Sequence, residues 1–264
     1  MKPSGIITLL SDFGLSDAYV AMLKGVILGI NPGARLVDIS HQIQAGLIVQ
    51  AADLLLESFS FFQKGTVHLA VVDPGVGTSR RPIAIENDDY FFVGPDNGLF
   101  WPIIQKNDEI KIAHLLEKKY HHPLTSPTFH SREIFAPVAA HLSRGLPLEA
   151  LGPRIKDPVK LDLPRPYEQD GFLYGQIMRI DHFGNLLTNI QKDKLQAFLQ
   201  YQTPCIELGR LVLTKIHSVY ADTEPGEALA LVDSSGCLEI AVNRGRAADL
   251  FNIKAVDILN LSVK

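Results

Sequence analysis

Apolar residues in the first half of the chain alternate between two patterns. Ile6–Leu10, Arg35–Ile39 and Thr66–Val72 are short runs bounded by polar or glycine residues, as expected of buried strands. Between them, apolar positions recur every three or four residues. Tyr19, Met22, Leu23, Val26, Ile27 and Ile30 fall on one helical face, with Ser16 placed to cap the helix and Asn31-Pro32-Gly33 to end it. Leu47–Phe61 reads as a second helix. Pro82–Glu86 and Tyr90–Val93 read as a strand pair, Gly94-Pro95-Asp96-Asn97-Gly98 as a dense turn signal, and Ser131–Leu142 as a closing helix. Strands alternating with helices predict a mostly parallel sheet with helices on its faces. In such sheets ligands bind beyond the carboxyl ends of the strands, where Asp12 and Asp73 both stand.

Between Pro153 and Pro166 four prolines and no clear periodicity mark a linker. The pattern then changes. Phe172–Ile180, Ile206–Leu213, Ala228–Asp233 and Leu238–Val242 read as short strands, with a single helix, Gln191–Leu199, among them. The organisation expected is an α/β domain over residues 1–160 and a smaller all-β, barrel-like domain over residues 168–264.

Composition narrows the function classes. The 264 residues are 46% hydrophobic and 20% charged, which suffices for packed cores and argues against disorder. A net charge of −4, with basic runs no longer than Arg80–Arg81 and Lys118–Lys119, argues against a nucleic-acid partner. No stretch approaches the roughly 20 apolar residues that span a bilayer. The amino-terminal MKPSGIITLL is too short for a signal-peptide core followed by a cleavage site. The expectation is a soluble, cytoplasmic protein with no membrane partner. Cys205 and Cys237 lack the spacing of a metal knuckle and read as two buried thiols rather than a disulfide.

Four constellations hold candidate chemistry. In Val71-Val72-Asp73-Pro74-Gly75-Val76-Gly77-Thr78-Ser79-Arg80-Arg81-Pro82, an apolar strand delivers a carboxylate into a glycine-rich loop that ends in two arginines. This is either a ligand-approaching loop or a tight turn with a surface ion pair. His130 stands immediately before a helix, as a site residue or as a cap. Asp12, in Ser11-Asp12-Phe13-Gly14, is placed to accept hydrogen bonds from ribose hydroxyls or simply to make a turn. Asp181 and Asn185 flank a Phe-Gly bend, facing a common ligand or forming a hairpin. A divalent metal is not expected, because an arginine beside Asp12, Asp73 and His130 opposes a cation.

Taken together, SDFG, VVDPGVGTSRRP, GPDNGLF, TFHSREIFAPVAAHL, DHFGNLLTN and SSGCLEIAVNRGRAA resemble one family in the right order along nearly the whole chain. That family is the S-adenosylmethionine (SAM) hydroxide adenosyltransferases, or SAM hydrolases, relatives of fluorinase and chlorinase. The resemblance implies an α/β domain followed by a β-barrel domain. It also implies a homotrimer whose sites lie between the first domain of one subunit and the second domain of the next. It casts Asp73, Arg80 and His130 as the set that handles water, Asp12 as the ribose ligand, and Asp181, Asn185 and Ser234 as contacts to methionine and adenine. The halide-using relatives have tyrosines at the positions of Asp73 and His130, so this chain sorts with the water users. It departs from the pattern at Gly46, where an aromatic residue is usual, and at Leu187, where some relatives have tryptophan. The reaction implied is hydrolysis of SAM to adenosine and methionine without metal or cofactor. The rivals are a non-catalytic SAM or adenosine sensor, a halide-dependent adenosyltransferase and a metal-dependent phosphoesterase.

Overall fold

The computed structural model describes residues 1–107, 109–123, 126–253 and 258–263, the last segment as backbone. The chain divides into two compact units, Met1–Leu161 and Asp162–Lys264.

The first unit runs β1 (Ile6–Ser11), α1 (Tyr19–Ile30), β2 (Arg35–Ser40), α2 (Ile48–Ser58), β3 (Val67–Val71), β4 (Pro82–Glu86), β5 (Phe91–Pro95), α3 (Trp101–Ile104), β6 (Lys111–His114) and α4 (Ala136–Ser143). Its six-stranded sheet has the order β2-β1-β3-β5-β4-β6. β1 pairs in parallel with β2 and β3, and β3 with β5, whereas β4 runs antiparallel to both β5 and β6. The sheet is therefore mixed. Every residue of β3 is buried, as a central strand covered on both faces requires. On one face Ile7, Leu9, Val67, Leu69 and Val71 pack with Leu23 and Ile27 of α1 and with Val138, Ala139 and Leu142 of α4. On the other, Leu10, Ala70 and Val72 pack with Ala51 and Leu55 of α2 and with Ile103 of α3.

Three details depart from the sequence pattern. Ser16 does not cap α1: the capping position is Ala18, with no side-chain hydrogen bond, and Ser16 Oγ points to Asp17. The buried stripe of α1 is Val20, Leu23 and Ile27, while Tyr19 and Met22 are exposed. Tyr19 instead joins Phe13 and Phe129 in an edge-packed cluster with ring centroids 5.3–6.0 Å apart. The closing helix begins as a π-turn, Ser131–Phe135, before α4.

The second unit contains β7 (Tyr167–Gln169), β8 (Phe172–Ile180), β9 (Leu186–Gln191), α5 (Lys192–Leu199), β10 (Pro204–Leu208), β11 (Leu211–Leu213), β12 (Ile216–His217), β13 (Ala228–Val232), β14 (Cys237–Val242), α6 (Ala247–Phe251) and β15 (Ile258–Val263). The strand order is β11-β10-β15-β8-β9-β14-β13-β12, with β7 on β8, and all pairings are antiparallel except β12 with β13. The early part of β8 pairs with β15 and its later part with β9, so the sheet bends around one core of Leu173, Ile177, Leu186, Ile190, Ile206, Leu238 and Ile240. Among the described residues no pairing joins β11 to β12. Ile206–Leu213 is a hairpin of two strands rather than one, and α6 is a second helix where one was expected.

Candidate active site

Asp73 follows β3 and Val72, and Arg80 lies seven residues on, just before β4. The two meet as a forked ion pair. Arg80 Nε donates to Asp73 Oδ1 at 2.9 Å and Oδ2 at 3.0 Å, and Nη2 donates to Oδ2 at 2.5 Å. Their side chains are only 9% and 6% exposed, so water hardly screens the pair. The Arg80 guanidinium also lies over the Phe135 ring, 5.2 Å from its centroid.

His130 completes the set. Its Nδ1 lies 2.9 Å from Arg80 Nη2. A guanidinium has donors and no acceptor, so His130 Nδ1 accepts this bond and the neutral ring carries its proton on Nε2. The cap reading of His130 is thereby set aside, since its side chain makes no capping hydrogen bond. Burial, and then the Arg80 charge, hold His130 below the usual imidazole pKa, with Asp73 and Glu133 opposing. One guanidinium atom is left over. Arg80 Nη1 is buried and has no hydrogen-bond partner among the described residues.

Backbone freedom makes this meeting possible. Gly77, in the loop between Asp73 and Arg80, has φ +78°, and a Cβ there would lie 2.8 Å from the Pro127 carbonyl oxygen. That close approach seats the loop on the segment leading to His130. The π-turn that follows His130 is a local irregularity of the kind often found at functional sites.

Asp12 is tied into the same end of the sheet. Its Oδ2 accepts a 2.8 Å bond from Gly46 N. Gly46 has φ +75°, and a Cβ there would pack against Pro74, the neighbour of Asp73, at 3.9 Å. The local feature that favours glycine at position 46 is this left-handed backbone; the N–H that holds the Asp12 carboxylate is a main-chain group. A further tether was not legible in the sequence. His41 is buried, its Nδ1 is 2.7 Å from Ser11 Oγ, and its carbonyl accepts from Gly14 N at 2.7 Å.

In the second unit Asp181 and Asn185 lock one turn between β8 and β9. Asn185 N donates to Asp181 Oδ1 at 2.8 Å and Asn185 Nδ2 to Asp181 Oδ2 at 3.1 Å. Ser234 is exposed in the turn after β13, where Asp233 Oδ1 accepts from Ser235 N and Cys237 N, each at 2.9 Å. Sequence reasoning missed Tyr220, which belongs to no motif, and Glu239, which lies inside SSGCLEIAVNRGRAA but was given no role there. Tyr220 Oη donates to the buried Glu239 at 2.8 Å. Burial raises the Glu239 carboxyl above its usual range, with the charges of Asp181 and Asp233 adding to it. The Asp181 and Asp233 turns therefore lie within electrostatic reach of the same buried carboxyl. Among the described residues no three His, Cys, Asp or Glu side chains gather as a metal site, and no helix is long and apolar enough to cross a membrane.

The model of the SAM hydroxide adenosyltransferase N-terminal domain matches residues 7–152, and that of the C-terminal domain residues 175–260. The chain belongs to the SAM hydroxide adenosyltransferase family. Within this family it is similar to the (R)-S-adenosyl-L-methionine hydrolase of Salinispora tropica, 37% identical and covering 99% of both chains. It is also similar to the fluorinase of an Actinoplanes species, at 32% identity over 95% of both. In structure it resembles an uncharacterised conserved protein from Thermotoga maritima, with a TM-score of 0.90, 36% identity, and coverage of 97% of this chain and 99% of that one.

Proposed function

We propose that this chain hydrolyses S-adenosyl-L-methionine to adenosine and L-methionine, by attack of water or hydroxide on ribose C5′. The observation that carries this reading is the leftover donor of Arg80. Nε and Nη2 are committed to Asp73 and His130, which fixes the guanidinium; Nη1, buried and without a hydrogen-bond partner among the described residues, is the donor proposed to meet a water with hydroxide character when substrate binding rearranges the pocket around it. A new C5′–O bond forms as the C5′–S bond breaks, and its electron pair leaves on sulfur as a neutral thioether. The leaving group needs neither a general acid nor a metal. Charge balances because the cationic sulfonium is lost and one proton is released.

The geometry divides the labour among the three residues. Asp73 orients Arg80 and balances its charge, which would be costly to leave alone in a buried place. His130 Nδ1 is occupied by Arg80, so His130 acts first as an acceptor that aims the guanidinium, with its Nε2–H as a second donor beside the water. With Nδ1 taken by Arg80, neutral His130 has no free acceptor for the proton of the water, and the proposal passes that proton to solvent. Asp12, with Oδ2 held by Gly46, is the ribose ligand of the proposal, and Asp181, Asn185 and Ser234 are its methionine and adenine contacts. The family resemblance supports a trimeric enzyme whose second unit is barrel-like.

The test is product analysis after incubation with both sulfonium epimers of SAM, since the hydrolase relative is named for the (R) form. Adenosine and methionine should appear in equal amounts, independent of chloride or fluoride and insensitive to EDTA. Binding without turnover would favour the sensor reading, a 5′-halogenated adenosine the halide reading, and loss of activity with EDTA a metal enzyme.

A further inference from the structure

The turn Gly94–Gly98 is a strong sequence signal to which the proposed reaction assigns nothing. Topology shows what it does. β5 lies between β3 and β4 in the sheet, parallel to one and antiparallel to the other. The loop carrying Asp73 and Arg80 leaves β3 and enters β4, so it must cross over the carboxyl end of β5. The two residues that follow β5, Asp96 and Asn97, meet the two feet of that loop. Asn97 Nδ2 donates to the Val72 carbonyl, immediately before Asp73, at 2.8 Å. Asp96 N donates to the Arg81 carbonyl, immediately after Arg80, at 2.9 Å. The buried Asp96 carboxylate takes Arg81 Nε on Oδ2 at 2.8 Å, and its Oδ1 accepts from Val159 N at 2.8 Å. Asn97 Oδ1 in turn accepts from Leu99 N at 3.2 Å, which fixes the amide's orientation.

We infer that Asp96 and Asn97 are positioning residues that set the distance between the feet of the Asp73–Arg80 loop and so hold the forked ion pair in register. Neither belongs to the Asp73–Arg80–His130 set. The Asp73–Arg80 fork tolerates little change in spacing, because both nitrogens bond the same carboxylate, and a small misplacement of such a group has large rate effects. Part of this inference rests on the proposed SAM hydrolysis.

The test is a double-mutant cycle in turnover, with Asn97→Ala and Asp73→Asn made singly and together. Asn97→Ala should lower kcat at least tenfold while KM for SAM changes less than threefold. In the Asp73→Asn background the same change should cost less than threefold, because no fork remains to misalign. Asp96→Asn, which weakens the other foot, should repeat the kcat-only loss, and it serves if Asn97→Ala does not fold. A readout free of turnover is hydrogen exchange of the Arg80 Nε–H by NMR, which should be at least tenfold faster in Asn97→Ala and Asp96→Asn. Equal losses in both backgrounds, or unchanged Arg80 exchange in the variants, would overturn the positioning role. Wild-type protein that makes no adenosine would overturn the proposed reaction instead, and the exchange readout would still decide the positioning role.

Discussion

Arg80 makes three kinds of contact: a fork to Asp73, a bond to His130 Nδ1, and the Phe135 ring beneath its plane. Lysine carries three donors on one tetrahedral nitrogen and no planar fork, so it cannot reproduce the two-nitrogen grip on Asp73 together with the bond to His130 and a donor held on a third nitrogen. Arg80→Lys should therefore lower kcat by roughly 10²–10³-fold, the scale seen when one preorganised donor is lost, with KM for SAM nearly unchanged. Steady-state kinetics checks this, and a wild-type kcat in the variant would remove Arg80 from water handling. His130 makes a separate prediction. Its pKa is pushed below the usual imidazole value, and protonating Nδ1 would set N–H against the Arg80 N–H. Activity should thus persist through neutral pH and fall only on the acid side of pH ~6.5. His130→Asn, whose side-chain oxygen can still accept from Arg80, should retain measurable rate and lose that acid limb. An unchanged pH profile in His130→Asn would assign the limb to another group.

At the scale of elements, the sequence pattern reached the strands that deliver Asp12 and Asp73, because apolar runs ending in polar turns need no tertiary information. It placed most of β4 and β5, but not α3, β6 or α6, whose short spans carry too few apolar repeats. It also showed the Asp73–Arg80 loop as a motif without showing that the two residues bond each other. Nor did it show Gly77 lying close to the Pro127 carbonyl, fifty positions on in the chain, which seats that loop on the segment leading to His130. Gly77→Ala meets both a left-handed backbone and that carbonyl, so it should destabilise the fold by about 1–3 kcal/mol and lower kcat as His130 and Arg80 separate. Thermal unfolding with kinetics checks both effects. His68 in β3 links an element to pH. It is fully buried, bonded to Thr8 Oγ1 at 2.8 Å and stacked on Phe92, and burial lowers its pKa from 6.5 to about 3. The unfolded chain binds this proton below pH 6.5 and the folded chain does not until about pH 3. Its contribution to stability is complete above 6.5 and is lost as the pH falls. Across that window His68→Gln should have a shallower acid dependence of stability than wild type, by up to about 1.4 kcal/mol per pH unit. Urea unfolding at several pH values would show it, and parallel slopes would contradict it.

For the molecule as a whole, two units with separate cores carry separate parts of the candidate chemistry. The first holds the buried ion pair and its histidine, and the second a self-locked Asp181–Asn185 turn beside the Tyr220–Glu239 pair. Light scattering should return the mass of three chains, and a monomeric, fully active protein would remove the trimer from the account. The central claim is that an oxygen atom from water ends on ribose C5′. Turnover of SAM in oxygen-18 water, with mass analysis of the products, tests it most directly. The account predicts one heavy oxygen per adenosine, in the 5′-hydroxyl, and none in methionine. Adenosine without the label, or no adenosine at all, would contradict it.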